Sequence, residues 1–236
     1  MTIRIRDLTV QFGGVRALDA LDADLAQPIV GLIGPNGAGK TTLLNVLSGF
    51  IRPRSGSVML DDVDLLALSP VRRVAFGLRR TFQQEQVVDD LTLFENVQAI
   101  ADHVWRDRAE AMADIERAIA FVGLQRARHT LGRHANLYER RMVEIAKTLI
   151  GRPKLILVDE PGAGLNDAET ERLRQLLLDL PGAFGVQLVL IDHDADLIAS
   201  VCVETLVLDF GRRLALGATR AVLDDPAVRS AYLGSA

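Results

Sequence analysis

Eight residues, Gly34 to Thr41, read GPNGAGKT and match the phosphate-loop pattern GxxxxGK[ST]. Glycines at this spacing let successive backbone N–H groups turn toward one point, and a helix starting near the lysine adds its partial positive charge there. Such a cradle binds polyphosphate. Gly34, Pro35, Asn36, Gly37, Ala38, Gly39, Lys40, Thr41 and Thr42 are therefore the candidate nucleotide-binding residues. Lys40 is expected to reach the β and γ phosphates of a bound nucleotide, and the Thr41 hydroxyl to ligate Mg2+. The alternative reading is a glycine turn before an ordinary helix.

Two further groups of polar residues follow apolar runs. Leu155 to Val158 lead into Asp159 and Glu160, so a buried strand delivers two carboxylates at its end. Beside a phosphate loop, the first acid is expected to help hold Mg2+ and the second to polarise the attacking water as general base. Without the loop, the pair simply caps the following turn, PGAGLND. Val186 to Ile191 form another apolar run ending in Asp192, His193 and Asp194. At the carboxyl end of a strand, His193 can donate to a terminal phosphate; alone it reads as a solvated loop histidine.

The elements that must position these groups are legible as alternation. Ile29 to Ile33 read as a buried strand before the glycines, and TTLLNVLSG as the start of a helix. Ile3, Ile5, Leu8 and Val10 lie in a strand-like stretch that breaks at Gly13 and Gly14, and Ser57 to Leu60 form another ending at Asp61 and Asp62. From Leu91 to Ile150 apolar residues recur at spacings of three and four, as in amphipathic helices. After Pro153, LILV, ETERLRQLLLDL, VQLVLID and ETLVLDF alternate strand and helix, which implies a parallel sheet with covering helices.

The 236 residues suffice for a large core, and 49% are hydrophobic, but no run approaches a membrane span. MTIRIRDLTV lacks the apolar segment of a signal peptide, so a cytosolic chain is expected. Cys202, the single cysteine, sits among apolar residues and reads as an inert buried thiol. Net charge is −4, and the arginine pairs at 72–73, 79–80 and 140–141 are scattered among acids. Nucleic acid is not an expected partner.

Together these pieces resemble the ATPase subunits of ABC transporters, nearly end to end. The resemblance adds RTFQ at Arg80 to Gln83, GLND at Gly164 to Asp167 and IDHD at Ile191 to Asp194. It implies an α/β fold: a phosphate-loop NTPase core with a mixed parallel sheet, an N-terminal antiparallel β-subdomain and an inserted α-helical subdomain. One ABC ATPase domain would span 1–236, with 1–90 and 151–236 as the core and 91–150 as the helical part. By the same resemblance Gln83 touches Mg2+ and the attacking water and lies against the membrane partner. His193 is a switch histidine, Asn166 and Asp167 face another subunit, and Phe12 stacks on adenine; otherwise Phe12 is a core phenylalanine. The implied catalytic set is Lys40, Gln83, Glu160 and His193, and the implied metal set Thr41, Gln83 and Asp159.

RTFQ, DEPGAGLN, LLNVLSGFIRPRSGSVMLD and DDPAVRSAYLG look like the LivG-type subunits of branched-chain amino acid importers. That likeness implies ATP hydrolysis coupled to uptake of hydrophobic amino acids, at the cytoplasmic face of the plasma membrane. The implied partners are a second ATPase subunit, two transmembrane permeases and a solute receptor acting through them. Alternatives are a urea or amide importer, a lipid or lipopolysaccharide exporter, or a soluble ATPase of nucleic-acid repair or translation.

Two segments depart from the family pattern. Where these ATPases carry LSGGQ or LSYGQ, this chain has Ala135, Asn136, Leu137, Tyr138 and Glu139. Tyr138 replaces a glycine, so its Cβ and ring are expected either to block a partner's nucleotide or to require a different backbone there, giving a heterodimer with one strong and one weak site; the alternatives are that the variation has little effect and that the chain forms a homodimer. The link DADLAQPIVGLIG lacks the usual Gly-Glu turn and reads as a shortened hairpin.

Overall fold

Strand β1 (Ile3–Phe12) buries Ile3, Ile5, Leu8 and Val10 on one face and turns at Gly13 and Gly14 into β2 (Val15–Leu25). The sequence reading does not assign β2, because bulges around Ala20, whose φ is 49°, interrupt the two-residue period. After only three residues the chain enters β3 (Ile29–Ile33), which pairs in a different sheet. The link at Ala26 to Pro28 is thus a crossing between sheets, not the shortened hairpin expected. Helix α1 (Lys40–Ser48) follows, then β4 (Ser55–Leu60) and β5 (Val63–Asp64), which complete an antiparallel sheet of order β2-β1-β4-β5. The computed structural model describes residues 1–233; the last glycine of DDPAVRSAYLG, at 234, lies outside the described residues.

Helix α2 (Pro70–Phe76) leads to β6 (Leu78–Arg80). The chain then forms α3 (Leu93–Val104), α4 (Arg108–Phe121) and α5 (Leu137–Leu149) before β7 (Leu155–Asp159). Helix α6 (Asp167–Phe184), β8 (Gln187–Ile191), α7 (Ala195–Val201), β9 (Glu204–Asp209), β10 (Arg212–Ala218) and α8 (Thr219–Asp224) finish the core. The second sheet has the order β10-β9-β3-β8-β7-β6, parallel throughout except for β10 on β9.

Every residue of β3, β7 and β8 is buried, as expected for parallel strands covered on both faces. Side chains alternate between two cores. Ile33, Ile156, Val158, Leu188, Leu190 and Val207 join α6, α7 and α3 to α5. Leu32, Leu155, Leu157, Val189, Ile191, Leu206 and Leu208 face α1 and the antiparallel sheet. Each fully buried leucine or isoleucine contributes roughly 1.5–3 kcal/mol, so both layers clamp the sheet whose edge carries the polar residues.

One arginine from each of the pairs at 72–73 and 79–80 is internal. Arg73 donates to the carbonyls of Val46 and Leu47 at the end of α1, and Arg79 to Ile150 and Gly151 at the end of α5. A guanidinium there satisfies carbonyls that a helix end leaves unpaired. Among the described residues no helix is long and apolar enough to cross a membrane.

Cys202 is 7% exposed, and burial pushes its thiol up to about 12. At pH 8 its thiolate fraction is then on the order of one in ten thousand. Alkylation by iodoacetamide, followed by mass spectrometry, should leave Cys202 unmodified in the native protein and modify it fully in denaturant. Rapid native modification would place this thiol at the surface.

Candidate nucleotide site

The phosphate loop is wedged between β3 and its neighbours. At Gly34, where φ is 147°, a Cβ would lie 2.1 Å from the Leu208 carbonyl oxygen. At Gly39, with φ of 104°, it would lie 2.5 Å from that of Ala17. Real Cβ atoms do not approach so closely, so only glycine lets the turn pass β9 and β2. Lys40 begins α1, is 7% exposed and folds back so that Nζ donates to the carbonyls of Gly34, at 2.5 Å, and Pro35, at 3.1 Å. Burial lowers its pKa, opposed by the charges of Glu160 and Asp159.

Helices α2 to α7 all have a side-chain N-cap, and α3, α5 and α6 have reciprocal capping boxes. Helix α1 has no side-chain cap and no acid in its first turn. Its leading N–H groups and dipole are therefore left for an anion. They face a cleft of about 310 Å³ lined by residues 36–42 together with Gln83, Glu160 and His193. The loop, β7 end and β8 end singled out in the sequence thus meet at the carboxyl edge of the parallel strands, where open α/β sheets bind ligands.

Glu160 is the meeting point. Its Oε1 accepts from Gln83 Nε2 at 2.9 Å and lies 2.9 Å from His193 Nε2, a hydrogen bond when that nitrogen carries the proton. Its backbone is left-handed, with φ of 50°, and its N–H donates to the Ile191 carbonyl at 2.8 Å. A non-glycine residue in this region costs on the order of 1–3 kcal/mol and is retained only where surrounding contacts enforce it. Asp192 supplies one such contact: 4% exposed, it accepts from the Gly162 and Asp194 N–H groups and ties the turn after β7 to the turn carrying His193. Burial raises the Asp192 pKa, opposed by those N–H donors.

Asp159 sits behind the cleft, 4% exposed. Its Oδ2 is 3.4 Å from Arg80 Nη2, while Arg80 Nη1 donates to Asn45 Oδ1 at 2.6 Å and contacts Ser48 Oγ at 3.3 Å. Burial raises the Asp159 pKa and lowers that of Arg80, each opposed by the partner's charge. Desolvation of both charges thus outweighs their attraction at this distance. Arg80 joins β6, α1 and β7, a role the sequence reading does not give it although RTFQ contains it; three residues from separate elements meet only in the fold. Among the described residues no three His, Cys, Asp or Glu side chains converge as a metal cluster. The expected metal set is instead a hydroxyl, an amide and a carboxylate, all hard oxygen donors of the kind Mg2+ takes.

Phe12 and the segment around Tyr138 do not line the cleft. Phe12 ends β1, 51% exposed, and is neither a core residue nor among those lining the cleft. Tyr138 is half-buried against the chain's own core, its hydroxyl pKa raised by burial, with Arg172 and Glu169 of α6 nearby. The ring therefore packs inward. The outward residue is Leu137, 38% exposed. Asn136 accepts from the Glu139 N–H at 2.8 Å, and Glu139 accepts from the Asn136 N–H at 2.9 Å.

A doubly wound sheet with a glycine cradle, an uncapped helix start and acids on the adjoining strand ends defines a phosphate-loop NTPase. A sequence profile described as ABC transporter matches residues 21–163. The chain is 32% identical to the high-affinity branched-chain amino acid transport ATP-binding protein LivG of Escherichia coli strain K12, covering 99% of this chain and 98% of LivG. It is 33% identical to BraF of Pseudomonas aeruginosa, a protein of the same description, with the same coverage. The ADP conformation of MJ1267, an ATP-binding cassette of an ABC transporter, superposes with a TM-score of 0.87 at 26% identity over 100% of both chains. The chain belongs to the ABC transporter family of ATP-binding, ATP-hydrolysing subunits.

Loss of the Lys40 ammonium removes a charged phosphate contact worth about 1.5–3 kcal/mol. Lys40→Ala should accordingly weaken ATP binding roughly 10- to 150-fold, read by titration calorimetry. Unchanged affinity would show that the lysine faces its own loop carbonyls in the bound state as well.

Proposed function

We propose that the chain hydrolyses ATP to drive an importer of branched-chain or other hydrophobic amino acids. The observation that carries the chemistry is the convergence of Gln83 and His193 on one oxygen of Glu160, across the cleft from the phosphate loop. The branched-chain solute rests on the likeness to LivG and BraF. The site is expected to work in a domain whose core is 1–90 and 151–236 and whose helical part is 91–150.

ATP enters with its phosphates on the N–H groups of residues 36–42 and on Lys40, which leaves its loop carbonyls. Thr41, Gln83 and Asp159 would hold a magnesium ion, which when bound neutralises phosphate charge. Glu160 takes a proton from water as the water oxygen bonds to the γ phosphorus, and the bond from that phosphorus to the β–γ bridging oxygen breaks. His193 Nε2 moves from Glu160 to a γ-phosphate oxygen and stabilises its charge. Gln83 orients the water. These rearrangements free the Glu160 oxygen from two donors, so that it can accept the proton of the attacking water.

A second cleft, about 440 Å³, is lined by Phe82 and Gln86, which flank Gln83 in the chain, and exposes Phe50, Val71, Val74 and Phe82. Its apolar lining suits a segment of a transmembrane permease, which supports a location at the cytoplasmic face of the membrane. Two permeases and a solute receptor acting through them complete the assembly. A second ATPase subunit pairs with this one. The start of α5 is self-capped by Asn136 and Glu139, which satisfies the N–H groups of those two residues and holds a negative carboxylate at the helix start, unfavourable for an approaching phosphate. That supports a heterodimer in which this chain's own nucleotide turns over and the nucleotide facing α5 does so slowly, for an electrostatic reason rather than through Tyr138.

In the assembled transporter in proteoliposomes, Glu160→Gln should retain ATP binding and abolish most hydrolysis and leucine uptake. The equivalent substitution in the partner ATPase should cost far less. Equal losses would defeat the asymmetry, and normal hydrolysis by Glu160→Gln would remove Glu160 as the base.

A further inference from the structure

Residues 81–92 connect the nucleotide cleft to the helices packed beside it, and both ends of this segment are fixed. At one end Thr81 donates its N–H to the Leu157 carbonyl at 2.9 Å, and its hydroxyl accepts from the Asp159 N–H at 3.0 Å. At the other, Thr92 caps α3, and Asn96 brackets Val88 through both its N–H and its carbonyl. Between them lie Gln83, on Glu160, and Glu85.

Glu85 is 17% exposed and sits between consecutive arginines of α5. Its Oε2 accepts from Arg140 Nε at 2.7 Å, and its Oε1 is 3.7 Å from Arg141 Nε. Arg140 also bonds Asp89, at 2.9 Å, and the Gly132 carbonyl, at 2.8 Å. The Arg141 Nε is buried and makes no hydrogen bond, so Glu85 is the carboxylate that balances its charge. A half-buried charge left without its partner is costly, which makes this contact far firmer than a solvent-exposed pair. Lys147 of α5 reinforces the tie by donating to the Gln86 carbonyl at 2.7 Å.

Two residues of extended chain span at most about 7 Å. A shift of α5 that carries Glu85 must therefore move Gln83 relative to Glu160, whose strand is anchored in the sheet.

We propose that Glu85 is a positioning residue that ties the loop bearing Gln83 to Arg140 and Arg141 of α5, so that the place of α5 determines where Gln83 stands in the nucleotide cleft. The proposal rests on the reading of Gln83 and Glu160 as parts of the hydrolytic site. Coupling through such a contact is worth roughly a 2- to 30-fold change in rate.

The test is a double-mutant cycle on ATP hydrolysis in the assembled transporter, with Glu85→Gln, Gln83→Ala and their combination. Glu85→Gln should lower kcat within that range and leave the KM for ATP nearly unchanged, since the phosphate loop is untouched. In the Gln83→Ala background the same change should have almost no further effect. Glu85→Asp, which restores the charge, should recover most of the rate, and thermal melts should show each variant folded. Arg140→Gln provides an independent break from the α5 side and should match Glu85→Gln. Additive losses, or a normal kcat for Glu85→Gln beside a slow Gln83→Ala, overturn the tie alone. A normal rate for Gln83→Ala overturns the tie together with the reading of the site.

Discussion

The geometry of this chain depends on a single carboxylate oxygen, Oε1 of Glu160, receiving Gln83 from the segment after β6 and His193 from the turn after β8. The three side chains come from positions 83, 160 and 193, and no local rule of helix or strand brings them together. Parallel pairing does. Leu78 to Arg80 register with Leu155 to Leu157, and Leu155 to Asp159 with Gln187 to Ile191, so the strands end side by side on one edge. The left-handed turn at Glu160 then aims its carboxylate across the edge instead of along the strand. Its strain is sustained by the Ile191 carbonyl, while Asp192 braces the neighbouring turns.

The same edge exposes a contrast between helix starts. Helix α1 leaves its first turn uncapped beneath a glycine cradle, whereas α5 closes its own with Asn136 and Glu139. A capping box stabilises a helix by satisfying the N–H groups that an incoming phosphate would use. Stability and anion binding therefore compete for the same donors. In α1 the competition favours the ligand, and burial of Leu43, Leu44, Val46 and Leu47 holds the helix without a cap.

How much of this was readable in advance depended on whether a feature was periodic or assembled. Ile29 to Ile33 and the glycine–lysine turn were legible because a buried strand, a steric demand for glycine and a helix start leave separate marks in sequence. The strand ends carrying Glu160 and His193 were legible for the same reason. Strand β2 was not, since its bulges spoil the alternation, and neither was the direction of the Tyr138 ring, which is set by α6. Resemblance to a motif located the substitution at Tyr138; only the fold shows that Tyr138 packs inward and that Glu139 accepts from the Asn136 N–H. The partners of Arg80 and Glu85 are distant in sequence, at Asp159 and Arg140, so no local pattern marks the roles of these two residues.

Buried charge imposes a final constraint on how the site can respond. Asp159 and Arg80 are held inside at a separation that does not recover their hydration, and Lys40 rests on backbone carbonyls rather than on a carboxylate. Such groups are poorly solvated and incompletely paired, so an anion and a cation arriving together find partners whose desolvation has already been met by folding. Stability from the two apolar layers of the sheet offsets that cost. A core built only for stability would replace Arg80 and Asp159 with apolar side chains; retaining them keeps a charged floor under the cleft, poised against a ligand whose own charge is mainly negative.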